Sequence, residues 1–182
     1  SKKMTMAEVR AGLKTNAALP KLKLNKKDFS LSGEVEFSSK EASNVLAVLE
    51  GTDLKDEYVV ITGHYDHVGM DKEGIVYNGA DDDGSGTTAV LEIAEAFVTA
   101  AKQGMRPRRS VIFMTVSGEE KGLLGSQFYT DNPIYPLEQT VTNLNIDMIG
   151  RIDKRYEGKE DAQNYVYVIG SDKLSSELHS LH

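Results

Sequence analysis

The sequence predicts an α/β layer fold built on a largely parallel sheet. Three observations carry that prediction. Short apolar runs of the buried-strand type recur at Tyr58–Thr62, Ser110–Val116 and Val141–Ile149. Between the first two runs, residues 86–102 place Val90, Ile93, Ala94, Phe97, Val98 and Ala101 on one helical face. Each of the three runs also delivers a polar residue at or near its end: His64, Glu119 and Asp147. In such sheets the ligand crevice lies outside the carboxyl ends of the strands. The coincidence of three polar strand ends therefore points to a site.

The 182 residues suffice for one domain with a core, and 40% hydrophobic with 27% charged residues is ordinary for a globular chain. No apolar run reaches the roughly 18 residues of a membrane span, and no signal peptide is visible. Without cysteine there is neither a disulfide nor a thiolate metal site, so any metal must be held by His, Asp or Glu. Net charge is −7, yet residues 1–27 carry eight Lys or Arg against the single acid Glu8. No aromatic residue interleaves with those bases before Phe29, so a solvated face is expected there and no nucleic-acid partner.

Taken in order, residues 4–19 read as a helix (Met6, Val9, Leu13 and Ala17 at helical spacing) closed by Pro20. Residues 21–44 alternate weakly and read as a ribbon or linker. Val45–Leu49 is a strand, and Gly51, Thr52 and Asp53 form a turn. The Tyr58–Thr62 strand runs straight into Gly63-His64-Tyr65-Asp66-His67, followed by a Gly-, Asp- and Asn-rich loop over 69–83. The 86–102 helix is closed by Gly104 and Pro107. The Ser110–Val116 strand leads to Ser117-Gly118-Glu119-Glu120, and Leu123–Tyr129 forms a helix stopped before Pro133. The third strand, Val141–Ile149, contains Asp147; a fourth is expected at Tyr165–Ile169 and a terminal helix over 173–181.

Four motifs can carry chemistry. His64 and Asp66, two apart in an extended segment, point to the same side. They can be a metal ligand and the carboxylate that orients it, or His64 can simply be bonded to backbone. Asp81, Asp82 and Asp83 repel one another unless solvated or bound to a cation. Asp81, Asp83, Ser85, Gly86 and Glu92 also match EF-hand loop positions, but no helix is expected before them and Glu92 lies inside a continuous helical pattern. Glu119 and Glu120 cannot both point the same way, so one can bind a metal while the other faces substrate. Asp147, among apolar neighbours, is costly unless paired, hydrogen-bonded or metal-bound.

GHYDHVG, NGADDDGSGT, SGEEKGLLGS and NLNIDMIG, in this order, resemble the dizinc aminopeptidases, a family that includes bacterial leucyl aminopeptidases and, more distantly, plasma glutamate carboxypeptidase and glutaminyl cyclase. The resemblance spans about residues 44–170. It implies a three-layer α/β/α fold with a mixed, largely parallel sheet, and a secreted or cell-envelope protein acting on peptides. It implies two zinc ions: His64, Asp82 and Asp147 on one, Asp82 and Glu120 on the other, with Asp82 bridging. It further implies Asp66 as partner of His64, Glu119 as general base, and a cis peptide between Asp82 and Asp83. The family's fifth ligand is a downstream histidine, and His67, His179 and His182 do not match its position. The expectation is therefore a partial catalytic domain, 44–182, truncated at its C-terminal side, with an incomplete second metal site, little activity of its own, and an open sheet edge that favours self-association. Residues 1–43 resemble a linker that follows an inserted domain in some members. A single-zinc acyltransferase like glutaminyl cyclase and a non-catalytic domain of the same fold are the alternatives.

Overall fold

The computed structural model describes residues 5–14, 33–35 and 39–181. The chain divides into two units, Ser1–Lys40 and Glu41–His182. In the first, helix α1 spans Met6–Lys14. Its start is a capping box: Thr5 N–H donates to Glu8 Oε2 at 2.7 Å, and Glu8 N–H donates to Thr5 Oγ1 at 3.3 Å. The rest of the expected 4–19 helix, and most of the expected ribbon over 21–44, lie outside the described residues.

The second unit is built on strands β1 (Val45–Leu49), β2 (Leu54–His64), β5 (Arg109–Val116) and β6 (Thr140–Asn145) in the spatial order β1-β5-β2-β6. A two-residue pair, β3 (Gly69–Met70) and β4 (Val76–Tyr77), interrupts the loop expected over 69–83. β2 is parallel to both β5 and β6, whereas β1 runs antiparallel to β5 at the edge. The sheet is thus mixed and largely parallel, as expected. The β2–β5 register pairs His64 with Val116, so the two strands release their chains at the same end.

Alternation along the strands divides the core between two faces. Ile61, Val111 and Phe113 face helix α2 (Gly84–Lys102), which covers them with Val90, Ile93, Ala94, Phe97 and Ala101. Phe97 meets Phe113 edge-on, with ring centroids 5.7 Å apart. Val60, Ile112, Met114 and Val116 face the other way, against Tyr129 of helix α3 (Leu124–Asp131). Each buried Val or Ile contributes about 1.5–3 kcal/mol of hydrophobic stabilisation. Helices on both faces make the expected three layers. One residue of the expected helical stripe departs: Val98 is 39% exposed, off the covered face.

Three further expectations change. β6 ends at Asn145, so Asp147 sits in the loop beyond the strand and is exposed rather than buried within it. Residues 165–169 form no strand, because β-structure needs a ladder partner and none is present among the described residues. The terminal helix breaks into α4 (Ser171–Leu174) and α5 (Ser176–Ser180), with the Ser175 side chain capping α5 by accepting from Leu178 N–H. No helix of the described residues is long and apolar enough to cross a membrane.

Candidate metal centre

Beyond the carboxyl ends of β2, β5 and β6 the structure gathers His64, Asp82, Glu119, Glu120 and Asp147, as the motifs suggested, and adds His67. The gathering depends on three consecutive aspartates with three different tasks.

Asp83 is 1% exposed and acts as the anchor. Its Oδ1 accepts from Gly86 N–H at 2.9 Å, capping α2, and its Oδ2 accepts from His64 N–H at 3.0 Å, tying the helix to the end of β2. A side chain at Gly86 would collide with that carboxylate and with the Ile146 carbonyl, so the close approach requires glycine there. Burial pushes the Asp83 carboxyl up, against the hydrogen bonds from His64 and Gly86 that lower it. Asp81 turns the other way: its Oδ1 accepts from Gly150 N–H at 2.8 Å and from Ser85 Oγ at 3.2 Å, fixing the loop after Asp147. Asp82, preceding the cis peptide Asp82–Asp83, is left facing the histidines. Asp81 and Asp83 are thus engaged with backbone N–H groups, and helix α2 begins inside the would-be EF-hand loop, which disposes of that reading.

His64 is buried at the end of β2. Its Nε2 lies 3.1 Å from Asp82 Oδ1 and 3.9 Å from Glu119 Oε2. Its Nδ1 faces the Asp66 backbone carbonyl at 3.0 Å, with the Asp66 carboxylate further off at 3.8 Å. The expected Asp66 partnership is therefore made through the main chain. The Asp66 carboxylate instead accepts from the N–H groups of Glu119, at 3.0 Å, and Glu120, at 3.3 Å, and so holds the turn that carries both glutamates. Asn44 supports the same turn, accepting from Ser117 N–H at 3.2 Å and donating to the Gly125 carbonyl at 2.7 Å. The supporting roles of Asn44 and Asp83 escaped the sequence reading. The signal for Asp83 is its place three residues before Gly86 at the start of an apolar-periodic helix, an N-cap signature.

The electrostatics are those of crowded carboxylates. Loss of hydration raises the Glu119 carboxyl above its ordinary range; His64 opposes this, and Glu120, Asp147 and Asp66 add to it. Asp147 is raised for the same first reason, with Asp82, Asp81 and Glu120 contributing. Burial depresses the His64 imidazole, but its bond to the Asp66 carbonyl and the charges of Asp83, Glu119 and Asp147 outweigh that and raise it overall.

Two triads in this cluster have the donors a divalent ion needs: His64, Asp82 and Asp147, and His67, Asp82 and Glu120. In each, one ligand atom per residue falls within 4.8 Å of the others. The donor set, imidazole with carboxylates, suits zinc. A second observation supports the fit: His67 Nδ1 and Glu120 Oε1 are buried atoms with no hydrogen-bond partner. Native structures seldom leave such atoms unpaired. Glu119 stands beside the His64 triad and belongs to neither.

The chain is 35% identical over 132 residues to Aminopeptidase NAALADL1 of Rattus norvegicus, covering 70% of this chain and 17% of that protein. It is 30% identical over 154 residues to Aminopeptidase YwaD of Bacillus subtilis, covering 76% of this chain and 31% of that one. The solved aminopeptidase from Aneurinibacillus sp. strain AM-1 is 26% identical and superposes with a TM-score of 0.45 over 58% of this chain and 24% of its own. The chain thus spans less than a third of the length of these relatives. Residues 44–174 match the model of peptidase family M28, and the chain belongs to that metallopeptidase family.

Proposed function

We propose that this chain carries the metal centre of a zinc-dependent exopeptidase that removes residues from peptide N-termini, with Glu119 as its general base. The observation that carries the reading is the pair of triads sharing Asp82, with one carboxylate oxygen 3.1 Å from His64 Nε2 and the other 4.0 Å from His67 Nδ1. His64, Asp82 and Asp147 would hold one ion, and Asp82 with Glu120 would take part in holding another. When bound, the pair would supply Lewis acidity and a water acidic enough to ionise near neutral pH.

The chain's own residues account for the rest. The Asp66 carboxylate fixes the Glu119–Glu120 turn, so the two side chains diverge, Glu120 toward His67 and Glu119 toward His64. Glu119 is free to take a proton from the attacking water and pass it to the leaving amine. Its raised affinity for protons, set by desolvation and neighbouring acids, brings it nearer the range useful for that transfer. The aminopeptidase names of the rat and Bacillus relatives support the N-terminal direction of cleavage. A single-ion acyltransferase reading would leave the second triad without a purpose.

The test is zinc analysis of the purified chain, with a panel of aminoacyl and blocked peptides given to the untruncated protein that carries it. Bound zinc with release of N-terminal residues, abolished by N-terminal blocking, is the expected result. Cleavage of blocked peptides from their C-termini would refute the direction, and a chain that binds no zinc would refute the proposal.

A further inference from the structure

We propose that the β3–β4 hairpin is a docking arm for the peptide substrate, holding the residues that follow the cleaved bond and favouring longer peptides that are apolar there. This rests on the exopeptidase reading above and extends it to substrate length and composition. Three observations converge on it.

The first is where the arm is rooted. Its two stems meet at the rim of the metal centre, where a Cβ on Gly79 would stand 2.8 Å from Cβ and Cγ of His67 and from the Asp82 carbonyl oxygen. The Gly79 carbonyl also accepts from Gly84 N–H, at 2.9 Å, where helix α2 begins. The base of the arm is therefore fixed to the centre. An exopeptidase that holds the N-terminal residue of a peptide must let the rest of it leave the centre, and the arm leaves from the same place. At roughly 3.3 Å per residue, the stretch from Val68 to Asp71 reaches about 10–13 Å, room for about three or four residues of an extended peptide.

The second is apolar surface on a preformed support. Val68, Met70, Ile75, Val76 and Tyr77 are all exposed, Met70 at 66% and Val76 at 58%. Met70 and Val76 stand directly opposite each other, so their side chains share one face. Exposed apolar residues gathered in this way mark a binding surface. A two-stranded hairpin is marginal in water by itself. Here polar bonds stiffen its turn. Asp71 Oδ1 accepts from Ile75 N–H at 2.8 Å and from Glu73 N–H at 3.1 Å, and the Tyr77 hydroxyl donates to Asp71 Oδ2 at 3.3 Å. A surface ordered in advance lowers the cost of binding.

The third is the direction of the main chain. Asp71 N–H donates to the Ile75 carbonyl at 3.1 Å, which makes Asp71 and Ile75 a hydrogen-bonded pair. The adjacent pair, Met70 and Val76, then turns its N–H and C=O groups outward, toward the two edges of the hairpin. Among the described residues no third strand pairs with either edge. An extended peptide can add there as a strand, with main-chain bonds that suit any sequence and with Met70 and Val76 selecting apolar side chains. A stable contact with a folded protein takes roughly 20–30 residues a side, more than this hairpin presents. Exposed Lys72 and Glu73 on the turn also oppose burial of its tip.

The experiment uses the untruncated protein that carries this chain, loaded with zinc. Its peptides share the N-terminal residue favoured in the aminoacyl panel and continue with one residue, four glycines or four apolar residues. The apolar peptide is expected to have a kcat/KM about 10-fold above that of the glycine peptide, mainly through KM, the effect of partly burying apolar side chains. In the double variant Met70→Gln, Val76→Thr, which keeps side-chain length at one position and β-branching at the other, that ratio should fall toward about 1. Because the ratio compares two peptides on one preparation, partial loss of folded protein does not alter it. Equal kcat/KM for all the peptides in the unsubstituted protein, or an undiminished ratio in the variant, would overturn the proposal and leave the exopeptidase reading in place. A variant that changes the sedimentation of the protein but not the ratio would assign the hairpin to contact between copies, and so would also overturn it. No cleavage of any peptide with a free N-terminus defeats both.

Discussion

The two ends of the sheet handle charge differently. At the amino ends of β2 and β5, acids and bases come in pairs: Asp53 accepts three hydrogen bonds from Arg108 at 2.7–3.1 Å, and Glu57 accepts from Arg109 at 2.7 Å. At the carboxyl ends, Asp66, Asp81, Asp82, Asp83, Glu119, Glu120 and Asp147 crowd together. Among the described residues, the Lys or Arg ion-paired to any of these is Arg151, 3.7 Å from Asp81. The same strands carry both ends, so sheet formation itself does not demand the imbalance. One end is neutralised by its own side chains. The other is left with a deficit of positive charge that an external cation can fill.

The comparison can be broken most decisively at Glu119. If the carboxyl end is built for catalysis, E119Q should lower kcat by about 10^2–10^4-fold, the usual contribution of a general base, without changing bound zinc. Equal loss of zinc would instead make Glu119 a ligand.

Next comes Asp83→Ala. It removes the cap of α2 and orphans the buried His64 N–H, and should cost about 2–5 kcal/mol by urea unfolding. A cost below about 0.5 kcal/mol, the scale of a surface change, would show that the anchor is dispensable.

A subtler sharpening is Asp147→Asn. Without metal, removing one of several like charges should stabilise the chain by about 0.5–1 kcal/mol after solvent screening, raising Tm by roughly 1–4 °C. With zinc present the sign should reverse, because a ligand is lost. Destabilisation of the metal-free chain would mean that the acids are already compensated.

The smallest effect belongs to the paired end. Arg108 holds the Asp53 carboxyl down at about 2, below its ordinary 3.8. A depressed carboxyl adds stability that is present above the unfolded value and lost as pH falls through the folded one. The small stability difference between the unsubstituted chain and D53N should therefore be constant above about pH 5, decline below it, and be lost as pH falls through about 2. A difference that grows on acidification would reverse the assignment.

The strands β1, β2 and β5 and helices α2 and α3 were legible because each has a pattern of its own: short continuous apolar runs for the strands, a 3.6-residue stripe for the helices. Residues 165–169 show the limit. Val166, Val168 and Ile169 have strand preferences, but a strand exists by pairing, and preference alone supplies no partner. Asp147 shows another: the apolar residues around it suggested a strand interior, but β6 leaves the sheet two residues earlier.

The site divides along the same line. The sequence by itself determined that His, Asp and Glu would do any metal work, since there is no cysteine, and that His64, Glu119, Glu120 and Asp147 would stand at or near strand ends. Those conclusions rest on composition and on local periodicity, which a linear reading contains. It could not determine that Asp81, Asp82 and Asp83 point three ways, that the Asp66 carboxylate would hold a turn 53 residues away, or that His67 would meet Glu120. Side-chain direction in a loop has no period. It is fixed by which neighbours the fold brings within about 3 Å, and for these residues the neighbours come from other strands and loops.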